Sequence, residues 1–136
     1  MAMKERNLFY AQIKRERALK YHERVENSAN NGMPDIYFVG KKRHGWLELK
    51  YEDFYSHNRR LALRPRQVVW HHKANEFQSV SWILLKAGDP KGDYYIAWPG
   101  ACAMHLDGKK IHEIIDKAEF FGKKVEFYDW LRELAK

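Results

Sequence analysis

Hydrophobic and polar positions alternate along the chain with two different periods. Residues 4–21 contain no proline or glycine, and Glu5, Leu8, Phe9, Gln12, Ile13 and Glu16 recur three and four apart, which predicts an amphipathic first helix. Residues 22–26 read as a short strand, and 27–34 (Asn-Ser-Ala-Asn-Asn-Gly-Met-Pro) as a turn. Two aromatic and branched segments follow, 35–39 (Asp-Ile-Tyr-Phe-Val) and 46–50 (Trp-Leu-Glu-Leu-Lys). The glycine-bounded basic loop between them, 40–45, makes the pair a β-hairpin. A loop over 52–64 ends at Pro65, well placed for a helix start. Residues 67–77 then predict a second helix with Val68, Val69, His72 and Ala74 available for packing. Residues 79–85 and 94–98 predict two further strands around a Gly-Asp-Pro-Lys-Gly turn, and 109–117 and 128–134 two more helices.

The order α-β-β-β-α-β-β describes an α/β domain with a central mixed β-sheet flanked by helices. The 136 residues suit a single domain, with its core over about 4–98 and helical C-terminal additions over about 99–136. Neither a repeat nor a low-complexity tract divides it. Hydrophobic content of 45% with 15% aromatic residues excludes a disordered chain. A single cysteine, Cys102, excludes an internal disulfide, and no apolar run approaches the roughly 20 residues that span a bilayer, so a cytoplasmic protein is expected. The formal net charge of +7 favours polyanionic partners.

Candidate chemistry is concentrated in the hairpin. Side chains alternate faces along a strand, so Glu48 and Lys50 share a face with Trp46 while Leu47 and Leu49 point the other way. A hairpin closed symmetrically about residues 40–45 would pair Val39 with Trp46, Tyr37 with Glu48 and Asp35 with Lys50. Asp35 and Glu48 would then be diagonal neighbours about 7 Å apart, a separation that two carboxylates can bridge through one divalent ion. Hard oxygen ligands suit Mg2+ or Mn2+, and Lys50 is placed to orient water or stabilise charge. A bare Glu-x-Lys is usually just the solvent face of a strand. Its meaning here comes from Gly32-Met33-Pro34-Asp35, thirteen residues before Glu48.

Pro34-Asp35 followed by Glu48-Leu49-Lys50 resembles the signature of PD-(D/E)XK nucleases. With Leu63-Arg64-Pro65-Arg66-Gln67 the resemblance extends to the phage-encoded, VRR-NUC-type branch that includes Holliday-junction resolvases, over roughly residues 5–85. It implies a restriction-endonuclease-like core and a Mg2+- or Mn2+-dependent endonuclease. By the resemblance Asp35, Glu48 and the backbone carbonyl of Leu49 bind metal, Lys50 serves the water or transition state, and Gln67 assists from the second helix. The family often adds a glutamate from its first helix. Glu5 is the choice among Glu5, Glu16, Glu23 and Glu26, because it precedes Leu8 and Phe9 by three and four residues; Glu26 is held in reserve.

Lys41, Lys42 and Arg43 in the hairpin turn, Arg59, Arg60, Arg64 and Arg66 before the second helix, and His71 within it are the candidate DNA contacts. Neither His71-His72 nor Cys102-Ala-Met-His105 has companion ligands at zinc spacing. Tyr51, Phe54 and Tyr55 either stack on unpaired bases or pin the long loop. The reading is of a structure-specific DNA endonuclease, phage-encoded, acting on branched DNA and dimeric if it resolves junctions. The rival readings are a non-catalytic DNA-binding module on the same fold and an RNA-directed nuclease.

Overall fold

A computed structural model describes residues 2–25 and 32–136, without the side chains of residues 2–6. Among the described residues six strands form one mixed sheet in the order β1 to β6: β1 (Tyr21–Arg24), β2 (Ile36–Val39), β3 (His44–Glu52), β4 (Ser81–Ala87), β5 (Tyr94–Pro99) and β6 (Phe120–Gly122). Among the described strand pairs only β3 and β4 run parallel, and the crossover between them carries the helix α2 (Pro65–Glu76). The remaining helices are α1 (Ala2–Arg15), α3 (Ala103–Leu106), α4 (Ile111–Ile114) and α5 (Lys124–Leu134). Among the described residues no helix is long and apolar enough to cross a membrane.

Strand alternation sorts the core into two clusters, one on each face. Ile36, Phe38, Leu47, Leu49, Leu84, Tyr95 and Ala97 pack against Phe9 and Ile13 of α1 and against Phe127, Tyr128, Leu131 and Leu134 of α5. On the other face Ile83, Leu85, Ile96 and Trp98 meet Leu61 and Leu63 of the long loop, Leu106 of α3, and Ile111 and Ile114 of α4. The C-terminal residues are thus no addition to a finished core. Phe127 is fully buried, and its truncation to alanine is expected to cost about 3–5 kcal/mol.

Three local departures from the sequence reading have physical causes. Helix α1 stops at Arg15 because Arg17 adopts a left-handed backbone (φ 53°), which turns Ala18 and Leu19 into the core. The short stretch 120–122 pairs with β5 as an edge strand, too brief to show a period. The hairpin slips by two residues: Tyr37 pairs with Trp46 and Val39 with His44, and the Gly40 N–H closes the turn on the Arg43 carbonyl at 2.7 Å. The chain end stabilises this tighter turn, since the Lys41 N–H donates to the Lys136 carbonyl at 2.8 Å. A slip of two leaves every side chain on its expected face.

Candidate active site

The site lies where β2 and β3 pass beneath α2. Asp35 N–H donates to the Leu47 carbonyl at 3.0 Å, although Leu47 already has Ile36 as its partner. Two residues of one strand therefore oppose one of the other, the geometry of a β-bulge, which re-aims a side chain and ends regular pairing. The Asp35 carboxylate takes over the ladder: its Oδ2 accepts the Leu49 N–H at 2.7 Å. Asp35 thus stands level with Leu47 and reaches forward to Leu49, where the symmetric hairpin would have set it opposite Lys50. The N–H and C=O of one strand residue leave the same edge, so the Leu49 carbonyl opens on the side of Asp35.

Gly32 holds this bend against α2. Its φ is +85°, and a Cβ there would collide with the backbone carbonyl of Arg66, so glycine is needed both for the conformation and for the approach. The segment Gly32-Met33-Pro34-Asp35 is thereby clamped to the first turn of the helix that carries Gln67.

Gln67, 1% exposed, joins the groups. Its Oε1 accepts from Lys50 Nζ at 2.9 Å and from the Arg64 N–H at 2.8 Å, and its Nε2 donates to Glu48 Oε2 at 2.9 Å. Two donors on one end and a carboxylate on the other fix the orientation of the amide. The bond from Arg64 also caps the helix start. Glu48 is fully buried, and on its other side Oε1 lies 3.8 Å from His71 Nε2. His71 is itself fully buried, with Nδ1 2.7 Å from Ser81 Oγ. Burial first, and the Lys50 charge second, lower its pKa from the usual 6.5 to about 4, which keeps the ring neutral.

The expected site residues divide into three groups. Asp35, Glu48, Leu49, Lys50 and Gln67 come together. The side chain of Glu5 and the whole of Glu26 lie outside the described residues; Glu16 instead pairs with Arg132 and Lys124. The candidate DNA contacts separate. Arg64 and Arg66 are exposed at the start of α2, beside the site. Lys41, Lys42 and Arg43 stand at the far end of the hairpin, about 16 Å along β2 from Asp35 at the usual strand rise. Arg59 is paired with Glu52 at 2.8 Å and stacked on Phe54, while Arg60 donates to the Gly108 carbonyl in a polar cleft shared with Lys109, Lys110 and His112. Tyr55 pins the loop, its ring against Tyr94 and its N–H on the Gly88 carbonyl.

His71 is the correction among those contacts: it faces Glu48 in the interior, so no DNA can reach it there. The cause is the rotation of α2. Its buried residues are Gln67, His71 and Ala74, spaced by four and three, while Val69 is 52% exposed and His72 reaches out to Glu76 at 2.8 Å. A helix lying over a polar strip turns polar residues inward, so apolar periodicity finds Val68 and Ala74, which do pack, but adds the outward Val69 and His72 and misses Gln67 and His71. The spacing Gln67, His71, Ala74 was the one signal in the sequence that could have identified His71.

The donor set fits a hard divalent ion. Asp35 lies at the β2 edge of β3, where the Leu49 carbonyl also opens, and Glu48 stands on the adjoining sheet face beneath α2; all three offer oxygen ligands. Among the described residues no group of three or more His, Cys, Asp and Glu side chains is placed to hold a metal ion. Comparison with protein-family models, with curated proteins and with solved structures finds no match.

Proposed function

We propose that this chain is a divalent-metal-dependent endonuclease acting on DNA, built on a restriction-endonuclease-like core of the PD-(D/E)XK kind. The observation that carries this reading is buried Glu48 joined to Lys50 through Gln67 beneath α2, with the Asp35 carboxylate bonded to the neighbouring Leu49 N–H.

Asp35 and Glu48 would hold the ion, with the Leu49 carbonyl as a third oxygen. The chemistry supplied by bound Mg2+ or Mn2+ is Lewis-acid polarisation of a phosphate oxygen and a lowered pKa for water. Lys50 Nζ, steadied by Gln67 Oε1, would place its positive charge where negative charge develops on the phosphoryl oxygens. Gln67 couples the lysine to the carboxylate, so the position of one depends on the other. Arg64 and Arg66 at the α2 start neutralise flanking phosphates. The preference for branched DNA and the dimer that junction resolution needs rest on the family resemblance alone.

The test is cleavage of a labelled panel (linear duplex, single strand, nick, flap, four-way junction and matched RNA) with Mg2+, Mn2+ or chelator, comparing the native chain with Glu48→Gln. Metal-dependent cutting of DNA that the variant loses is the expected result. Preferential cutting of the RNA members would move the substrate class, and binding without cutting would leave a non-catalytic DNA-binding module.

A further inference from the structure

We propose that His71 is a positioning residue for Glu48, anchored by Ser81, and that the pair sets the affinity of the site for its divalent ion. This inference rests on the proposed nuclease reading and adds to it a residue with no place in the sequence signature.

The imidazole is fixed on every side. Ser81 Oγ lies 2.7 Å from Nδ1, and the Trp70 ring stands perpendicular to the imidazole at a centroid distance of 5.4 Å. Gly100 closes the back: a Cβ at that position would collide with Ser81 Oγ and crowd His71 Nδ1. Three elements, α2, β4 and the turn after β5, therefore converge to hold one ring. Among the described residues its Nε2 finds no hydrogen-bond partner, and it is aimed at Glu48 Oε1, 3.8 Å away.

The tautomer follows from the neighbours. A neutral imidazole carries one N–H, and a lone pair facing a carboxylate oxygen would be repelled by it. The Ser81 hydroxyl can instead donate to Nδ1, which leaves the hydrogen on Nε2, pointing at Glu48. At 3.8 Å this is no hydrogen bond, and a carboxylate shift of about 1 Å makes it one. Gln67 Nε2 already holds the other oxygen, Oε2, at 2.9 Å. Between them, Gln67 and His71 bracket the carboxylate and restrict its rotation, so that it is oriented before an ion arrives. Residues that orient metal ligands in this way typically change metal affinity by about 10- to 100-fold when removed.

The measurement is Mn2+ binding by titration calorimetry, without nucleic acid, on the full chain, with thermal unfolding of each variant as a control on folding. His71→Leu removes the donor, His71→Gln returns an N–H close to the Nε2 position, and Ser81→Ala removes only the anchor. Expected are a loss of about 10- to 100-fold in affinity for His71→Leu, recovery to within a few-fold in His71→Gln, and a several-fold loss for Ser81→Ala. Native affinity in a folded His71→Leu, or equal losses in the leucine and glutamine variants, would overturn the assignment. Should His71→Leu not fold, Ser81→Ala decides: unchanged affinity overturns, and a several-fold loss supports. Native protein that binds no Mn2+, or binds it undiminished in Glu48→Gln, brings down the metal-site reading itself and the His71 assignment with it.

Discussion

Each face of the sheet carries a buried glutamine that gathers other polar groups. On one face Gln12 Oε1 accepts from Lys86 Nζ at 3.0 Å, Tyr95 OH at 3.1 Å and Tyr128 OH at 2.9 Å. On the other, Gln67 collects Lys50, the Arg64 N–H and Glu48. Both hubs include a lysine, and both sit beneath a helix. They differ in where the acid lies. Asp93, 3.7 Å from Lys86, is half-exposed at the rim, whereas Glu48 is at the centre and fully buried. Desolvating a carboxylate costs several kcal/mol, so stability alone gives no reason to place one there; the proposed divalent ion would supply one. A buried lysine–glutamine contact by itself therefore says nothing about function, and the position of the carboxylate does.

The largest expected contrast between the hubs is in cleavage. Glu48→Gln is expected to lower metal-dependent cutting by about a thousandfold or more, with unfolding temperature equal to or above native because a buried charge is removed. Gln12→Leu should leave cutting per folded molecule unchanged while costing about 2–3 kcal/mol, since two tyrosine hydroxyls lose their acceptor. Cleavage assays on both variants, paired with denaturant titrations, break the contrast if the two behave alike.

Gly32→Ala tests the clamp between the Asp35 bend and α2. Strain at φ +85° and the clash with Arg66 predict a loss of about 1–3 kcal/mol. Cutting should also fall by about a hundredfold through displacement of Asp35, read from single-turnover rates on protein shown to be folded.

The hubs should also fail at opposite ends of the pH scale. His71, on the Gln67 side, has its folded pKa depressed to about 4, so the unfolded chain takes up a proton that the folded chain refuses. That contribution is fully present above about 6.5 and is lost as pH falls toward 4, by about 3 kcal/mol. Tyr95, on the Gln12 side, has its folded pKa pushed up to about 12, chiefly by burial. Its contribution is fully present below about 10 and is lost as pH rises toward 12, again by about 3 kcal/mol. Chemical denaturation across both ranges checks this. His71→Gln should flatten only the acid limb, and Tyr95→Phe only the alkaline one.

The smallest effect expected is from the surface charges. Arg64→Gln with Arg66→Gln should lower the salt dependence of DNA binding by about two phosphate contacts, whereas Lys41→Gln, at the distant turn, should matter less. Equal effects would mean that the hairpin turn lies on the same DNA track as the helix start.

The shared face of Glu48 and Lys50 was legible in the sequence. Alternation along a strand puts Glu48 and Lys50 on one face whatever the register, and a two-residue slip of the hairpin preserves that face, so their partnership survived an error in pairing. Proline at the helix start and the aromatic, branched strands were equally local signals. Other features depended on residues far apart in the chain. The rotation of α2 was set by the polar strip it covers, the bulge at Asp35 by Leu47 and Leu49 across the hairpin, and the burial of His71 by Ser81 and Gly100 from two other elements. The sequence by itself determined which side chains share a strand face and where helices can begin, because those depend on backbone geometry over a few residues. Only the tertiary structure decided which helix stripe turns inward and which buried groups meet, because desolvation and packing are settled between elements, not within them.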